Sequence, residues 1–267
     1  MRFQLSILAI FAVLVSIAAS GVASAAAAPE RSAAAKLTFC TDISYPPEES
    51  YKGTKPVGSD IDIGTAIAKL MGKTAAFKNT VFDSIIPALL TKHCDAIISG
   101  MNDTAKRRKQ VDFVDYLKVG QSIMVKKGNP KHITKVSDLA GRSISVESGT
   151  TNRDFLAAQS AKLVKQGKKG ISIKTFPKDT DAAAALKAGK VDAYFGDSPV
   201  VVFYVSKDKS FAVGGTPVNP ILIGIAIRKH DPLKAKVQSA INKLYANGTM
   251  KKIVAKWGMT HAVTLLK

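Results

Sequence analysis

Phe82-Asp83-Ser84-Ile85-Ile86-Pro87-Ala88-Leu89-Leu90-Thr91-Lys92 runs into Cys94-Asp95-Ala96-Ile97-Ile98-Ser99-Gly100. Further along, Asp181-Ala182-Ala183-Ala184-Ala185-Leu186-Lys187-Ala188-Gly189-Lys190 runs into Val191-Asp192-Ala193-Tyr194-Phe195-Gly196-Asp197. The two stretches share one plan: a helical pattern, a basic turn, the pair Asp-Ala, a short apolar strand and a polar strand end. A helix that feeds a short apolar strand is the mark of a βαβ unit and a parallel sheet. Its occurrence twice predicts two similar α/β lobes.

Working outward, strand patterns occur at 36–41, 143–146, 171–176 and 217–227, and helical patterns at 61–71 and 151–166, with a loop over 42–57. Two C-terminal helices follow, the first closed by Asn247-Gly248 and the second N-capped by Thr249. Parallel sheets present ligand sites at the carboxyl ends of their strands. Here those ends read Thr41-Asp42, Ser99-Gly100-Met101-Asn102, Glu147-Ser148-Gly149-Thr150-Thr151 and Gly196-Asp197-Ser198. If the lobes face each other, the four ends line one cleft rich in hydroxyls and carboxylates.

The N-terminus sets the compartment. Arg2, an apolar run over 3–19 and then Gly21-Val22-Ala23-Ser24-Ala25 form a signal-peptide pattern with cleavage expected after Ala25. The competing reading is a retained membrane anchor. No Cys directly follows the run, so no lipid attachment is expected. The mature chain, beginning with a linker over 26–35, is expected in the periplasm. The apolar fraction of the full 267-residue sequence, 46%, is that of a packed globular protein. A net charge of +19 raises the question of a nucleic-acid partner, with Lys106-Arg107-Arg108-Lys109 as its contact. Export removes the chain from nucleic acid, and the lysines are otherwise dispersed, so a solvated basic surface is the reading adopted. Cys40 and Cys94 are too few for a disulfide framework. Cys40 falls near the end of its strand and Cys94 at the start of its own. At about 3.3 Å per residue, parallel strands would hold them too far apart to bridge, so two unpaired thiols are expected.

Several residues could hold a small zwitterion. Thr104 is a natural N-cap, which puts Arg107 at the third position of a short helix, where a cation opposes the helix dipole unless an anion lies there. Arg107 then offers its fork to a carboxylate, or it is one more exposed basic residue. Asp197, at a strand end, could pair an ammonium, or bond its own backbone before Ser198-Pro199. Gly149-Thr150-Thr151 opens a helix that could meet a carboxylate, or Thr150 simply caps it. Tyr45 and Phe82 are candidate walls for a side chain, or core. No metal-ligand, Ser-His-Asp or Cys-His spacing is present, and no cofactor is expected.

The string Asp95-Ala-Ile-Ile-Ser-Gly-Met-Asn-Asp-Thr104-Ala-Lys-Arg107-Arg-Lys-Gln-Val-Asp112-Phe113 resembles the signature of bacterial extracellular solute-binding proteins of the polar amino-acid class, the periplasmic substrate-binding components of ABC transporters. Thr41-Asp42-Ile-Ser-Tyr45-Pro-Pro, Gly58-Ser-Asp60-Ile-Asp62-Ile, Ser148-Gly-Thr-Thr151, Val191-Asp-Ala-Tyr-Phe-Gly-Asp197 and Asn247-Gly-Thr249 are also similar to that family, so the resemblance spans about 36–257. It implies an α/β, two-lobed Venus-flytrap fold with two hinge strands, crossing at about 119–124 and returning at about 217–223. The first lobe is then 36–121 plus 220–267 and the second 122–219. The same resemblance implies that Arg107 takes the ligand carboxylate with Thr151 and the amide of Asn102. Asp197 and the Gly100 carbonyl would take the ammonium, Tyr45 and Phe82 sandwich the side chain, and Asp42 and Ser99 lie near its tip. The sequence departs from the pattern at Asn102, at Glu48-Glu49 and at Glu147.

The function that follows is a monomeric receptor that captures a free amino acid and delivers it to an inner-membrane ABC permease. The alternative is a secreted dehydratase-like enzyme on the same scaffold, with Glu147 or Asp197 as general acid. The sensing half of a membrane receptor would need a further transmembrane span and is set aside. Asp42 and Glu147 place two carboxylates at the distal end of the ligand, one per lobe, which favours a cationic side chain. If Glu147 points elsewhere, a neutral ligand such as glutamine remains.

Overall fold

The computed structural model describes residues 35–266. The expected signal peptide and most of the linker lie outside the described residues. In chain order the elements are β1 Lys36–Thr41, β2 Ser50–Lys52, β3 Lys55–Val57, α1 Ser59–Leu70, β4 Thr74–Asn79, α2 Ile85–Leu90, β5 Ala96–Ile97, α3 Ala105–Arg108 and β6 Val111–Lys126. Then come β7 Ser143–Glu147, α4 Thr151–Lys165, β8 Ser172–Phe176, α5 Asp179–Lys187, β9 Ala193–Asp197, α6 Ser198–Lys207 and β10 Phe211–Val213. The chain closes with β11 Val218–Arg228, α7 Leu233–Ala246, α8 Thr249–Lys256 and β12 Val263–Leu265.

The strands run in the order β4-β1-β5-β11-β6-β9-β7-β8. At one end β4, β1 and β5 are parallel, and at the other β9, β7 and β8 are parallel. Between them β6 and β11 run antiparallel, from Arg228 opposite Val111 to Val218 opposite Gln121. The far part of β6, Gln121 to Met124, then pairs with β9. β11 pairs with β5 on one side and β6 on the other, and β6 pairs in turn with β9, so these two long strands join the parallel ends. Apolar packing divides in the same way. Leu37, Phe39, Ile63, Tyr116, Ile225 and Val237 belong to one core cluster, and Ile123, Val125, Ile144, Val146, Leu156 and Phe195 to another. The two βα units of the sequence repeat, α2-β5 and α5-β9, occupy opposite ends of this arrangement.

Some expectations need correction. Cys40 and Cys94 form a disulfide, with Cα atoms 5.6 Å apart. Cys40 lies opposite Ile97 in the β1–β5 register, as the strand argument supposed. Cys94, however, precedes β5 in the turn that leaves α2, where Lys92 has a φ of 62°. Because α2 packs on β1 and β5, that turn comes down onto the face of the sheet. There Cys94 joins the same buried cluster as Cys40, Leu89 and Ile97. Spacing along a strand does not govern a residue that is not in the strand. The loop 42–57 also contains a hairpin, Ser50 opposite Val57. Thr249 begins α8 rather than capping it. Gly248 holds the cap position with φ 73°, a backbone glycine adopts freely, and Asn247 Oδ1 accepts the Thr249 N–H.

Candidate functional site

The ends of the parallel strands converge where the two halves meet. A cavity of about 10 Å³ lies there, lined by Tyr45, Phe82, Ser99, Gly100, Asn102, Glu147, Thr150, Asn152 and Asp197. All eleven residues expected to form a site are on it or hydrogen-bonded to its lining. Thr104 Oγ1 accepts the Arg107 N–H at 3.1 Å, which fixes Arg107 at the third position of α3 as its spacing predicts. Arg107 is 8% exposed. Its two terminal nitrogens donate to the Asn102 carbonyl at 2.8 Å and, across the gap, to the Gly149 carbonyl at 3.1 Å. The guanidinium carbon stands 5.2 Å over the Phe82 ring. The exposed reading of Arg107 therefore fails. Burial works against its charge, while Asp197, Asp154 and Asp103 nearby support it.

Asp197 makes no side-chain bond to its own helix, so the turn reading fails as well. Its Oδ1 accepts from Asn152 Nδ2 at 3.1 Å and its Oδ2 from Asn102 Nδ2 at 3.3 Å. Its backbone N–H donates to the Tyr45 hydroxyl at 3.2 Å. Burial pushes its carboxyl up to about 6, opposed by these hydrogen bonds. At the 149–151 step the capping reading holds. Thr150 Oγ1 caps α4 by accepting the Arg153 N–H at 3.2 Å, and the Thr151 hydroxyl donates to Asn102 Oδ1. Asp42 Oδ2 accepts the Phe82 N–H at 2.8 Å, and the Ser99 hydroxyl accepts the Asp42 N–H at 2.9 Å. Gly149, with φ 72°, faces the other half so closely that a Cβ there would lie 2.1 Å from Asp83 Oδ1.

Several residues escape a sequence reading. Asn152 holds Asp197, and Asp83 receives the Ser148 hydroxyl. Asp179 accepts the Tyr194 and Tyr204 hydroxyls, at 2.5 and 2.8 Å, and its carboxyl is pushed up to about 7, chiefly by burial. Glu48, Glu49 and Asp60 are buried at the base of the first strand ends, and Asp60 accepts the Tyr116 hydroxyl and the Gly100 N–H. Among the described residues no helix is long and apolar enough to cross a membrane, and no group of His, Cys, Asp and Glu could hold a metal ion.

Comparison with known proteins places this geometry. The profile of bacterial extracellular solute-binding proteins, family 3, matches residues 37–260. The chain belongs to that family. It is 33% identical over 234 residues to ABC transporter arginine-binding protein 1 of Escherichia coli K12, covering 85% of this chain and 92% of that protein. It is 32% identical over 206 residues to the ABC transporter glutamine-binding protein GlnH of Bacillus subtilis, covering 75% of this chain and 72% of that protein. Among solved structures, an ancestral arginine-binding protein bound to arginine superposes with a TM-score of 0.76 at 36% identity, over 83% of this chain and 97% of that one. The fold is thus the two-lobed one of the family, with β6 and β11 as its hinge strands.

Proposed function

We propose that this chain is an exported receptor, cleaved after Ala25 and working as a periplasmic monomer. It captures a free amino acid with a cationic side chain and delivers it to an ABC permease. The lobes are 36–121 with 220–267, and 122–219. One observation carries the reading. Asp42, Glu48, Glu49, Asp60, Glu147, Asp179 and Asp197 are buried where the lobes meet, and Arg107 is the sole buried cation among the described residues. Carboxylates gathered in that way and left without a counter-charge repel one another and lose hydration. Arg107 and Thr151 would take the ligand carboxylate with the Asn102 amide, and Asp197 with the Gly100 carbonyl its ammonium. Tyr45 and Phe82 would flank its methylenes, and Asp42, Ser99, Glu147 and Thr150 complete the walls. The buried Oε1 of Glu147 has no hydrogen-bond partner, and its carboxyl is held well above the usual range by burial and by Asp179 and Asp42. Isothermal calorimetry with arginine, lysine, glutamine and glutamate tests the proposal, with Glu147→Gln beside the unmodified protein. Arginine or lysine is expected to bind tightest. Tightest binding of glutamine or glutamate would overturn the charge assignment, and turnover of amino acids or of prephenate-like acids would favour the enzyme.

A further inference from the structure

Glu48 is the buried acid with the least support. It follows Pro46-Pro47 in the loop between β1 and β2, is 1% exposed, and neither of its carboxylate oxygens has a hydrogen-bond partner. Its Cγ lies 3.8 Å from where a Cβ on Gly100 would stand, a space the Tyr45 ring fills at 3.1 Å. Gly100 and Tyr45 both line the cavity, so the Glu48 side chain packs beside its wall. The charged groups that bear on it are all acids: Asp60 from α1, Asp197 at the start of α6 and Asp179 from α5. Its loop neighbour Glu49 adds another. No ion pair among the described residues reaches it. Asp42 differs, because its carboxylate already accepts the Phe82 N–H. Folding gives no reason for a carboxylate at position 48. An amide or an apolar side chain of that size would avoid the several kcal/mol that an unpaired buried ion costs.

We propose that Glu48 is the specificity-determining carboxylate of the first lobe, pairing the cationic end of the bound side chain beside Tyr45 while Glu147 faces it from the second lobe. The inference rests on the amino-acid reading above and names the group that selects charge. Burial and the surrounding acids hold the Glu48 carboxyl well above its usual range. An arriving guanidinium favours the ionised form, so whatever proton the carboxyl holds goes to solvent and the carboxylate pairs with the guanidinium.

The test compares arginine with citrulline, its neutral isostere, by calorimetry at pH 7 in two buffers of different ionisation enthalpy. The wild-type protein is expected to prefer arginine and to release more protons with arginine than with citrulline. Glu48→Gln, checked for folding by circular dichroism, is expected to weaken arginine about 10–100-fold, the range of one hydrogen bond to a charged group, and to lessen any proton release that accompanies arginine binding. Citrulline, which brings no charge to that position, should lose less affinity than arginine. Two outcomes overturn the inference: an unchanged arginine-to-citrulline ratio in the variant, or equal weakening of both ligands. Binding of neither ligand, nor of any other amino acid, would instead remove the receptor reading itself.

Discussion

Arg107 joins the two lobes through carbonyls, Asn102 on its own side and Gly149 on the other, with Phe82 beneath it. Arg107→Ala is therefore expected to weaken every amino-acid ligand to a similar degree, about 10–100-fold by calorimetry, since it removes a charge-assisted fork whatever the side chain. Arg107→Lys should recover only part, because a point charge cannot span two acceptors. Similar affinity in Arg107→Ala and the wild type would refute the role. Position 107 was legible because a cap is local chemistry: Thr104 sets the helix start and the count gives the rest. Asp197 and the Thr150-Thr151 step were legible for the same reason, as strand and helix ends. Glu48, Glu49, Asp60 and Asp179 were not. An acid is buried by what packs over it from a distant part of the chain, and nothing within a few residues of Glu48 reports that Gly100 and Tyr45 will close around it.

The disulfide ties β1 to the turn before β5 across a separation of 54 residues. Loop-closure entropy for a ring of that size is about 4 kcal/mol, and measured contributions are typically 2–4 kcal/mol. Cys94→Ala is expected to destabilise the protein by about that range in denaturant unfolding. Mass spectrometry of alkylated, unreduced protein should find no label on either cysteine. The elements themselves divide by how local their signal is. The duplicated helix-and-strand phrase gave α2-β5 and α5-β9 because apolar periodicity and turn chemistry are written in consecutive residues. The length of β6 was not readable, since its 16 residues stay extended by pairing with β11 over most of their length and with β9 and β10 at the far end. The short hairpin β2-β3 rests on three pairs and left no alternation long enough to detect.

Across the whole molecule, charge is segregated: net +19 overall, with acids gathered inside the cleft. Asp60 and Asp197 are raised to about 6 and Asp179 to about 7, all chiefly by burial. In each case the native state holds a proton that the unfolded chain releases near pH 4, so stability is full below that pH and falls as pH rises towards 7. Asp112, Asp138 and Asp208 are lowered and act oppositely, but below about pH 4, the ordinary Asp value. Thermal unfolding without ligand is therefore expected at a lower temperature at pH 7.5 than at pH 5, by about 2–4 °C for each kcal/mol lost. A flat or rising midpoint over that interval would count against a cleft full of protonated acids. The interleaved cores carry a further consequence. Ribosomes deliver a chain from its N-terminus, and domains generally fold in that order. Here the core that opens the sequence, with Leu37 and Phe39, also requires Ile225, Val237, Ile241 and Val254. The core built from Ile123 to Phe195 requires none of them. The lobe that emerges second is complete first, and the one that begins the chain waits for the last residues to arrive.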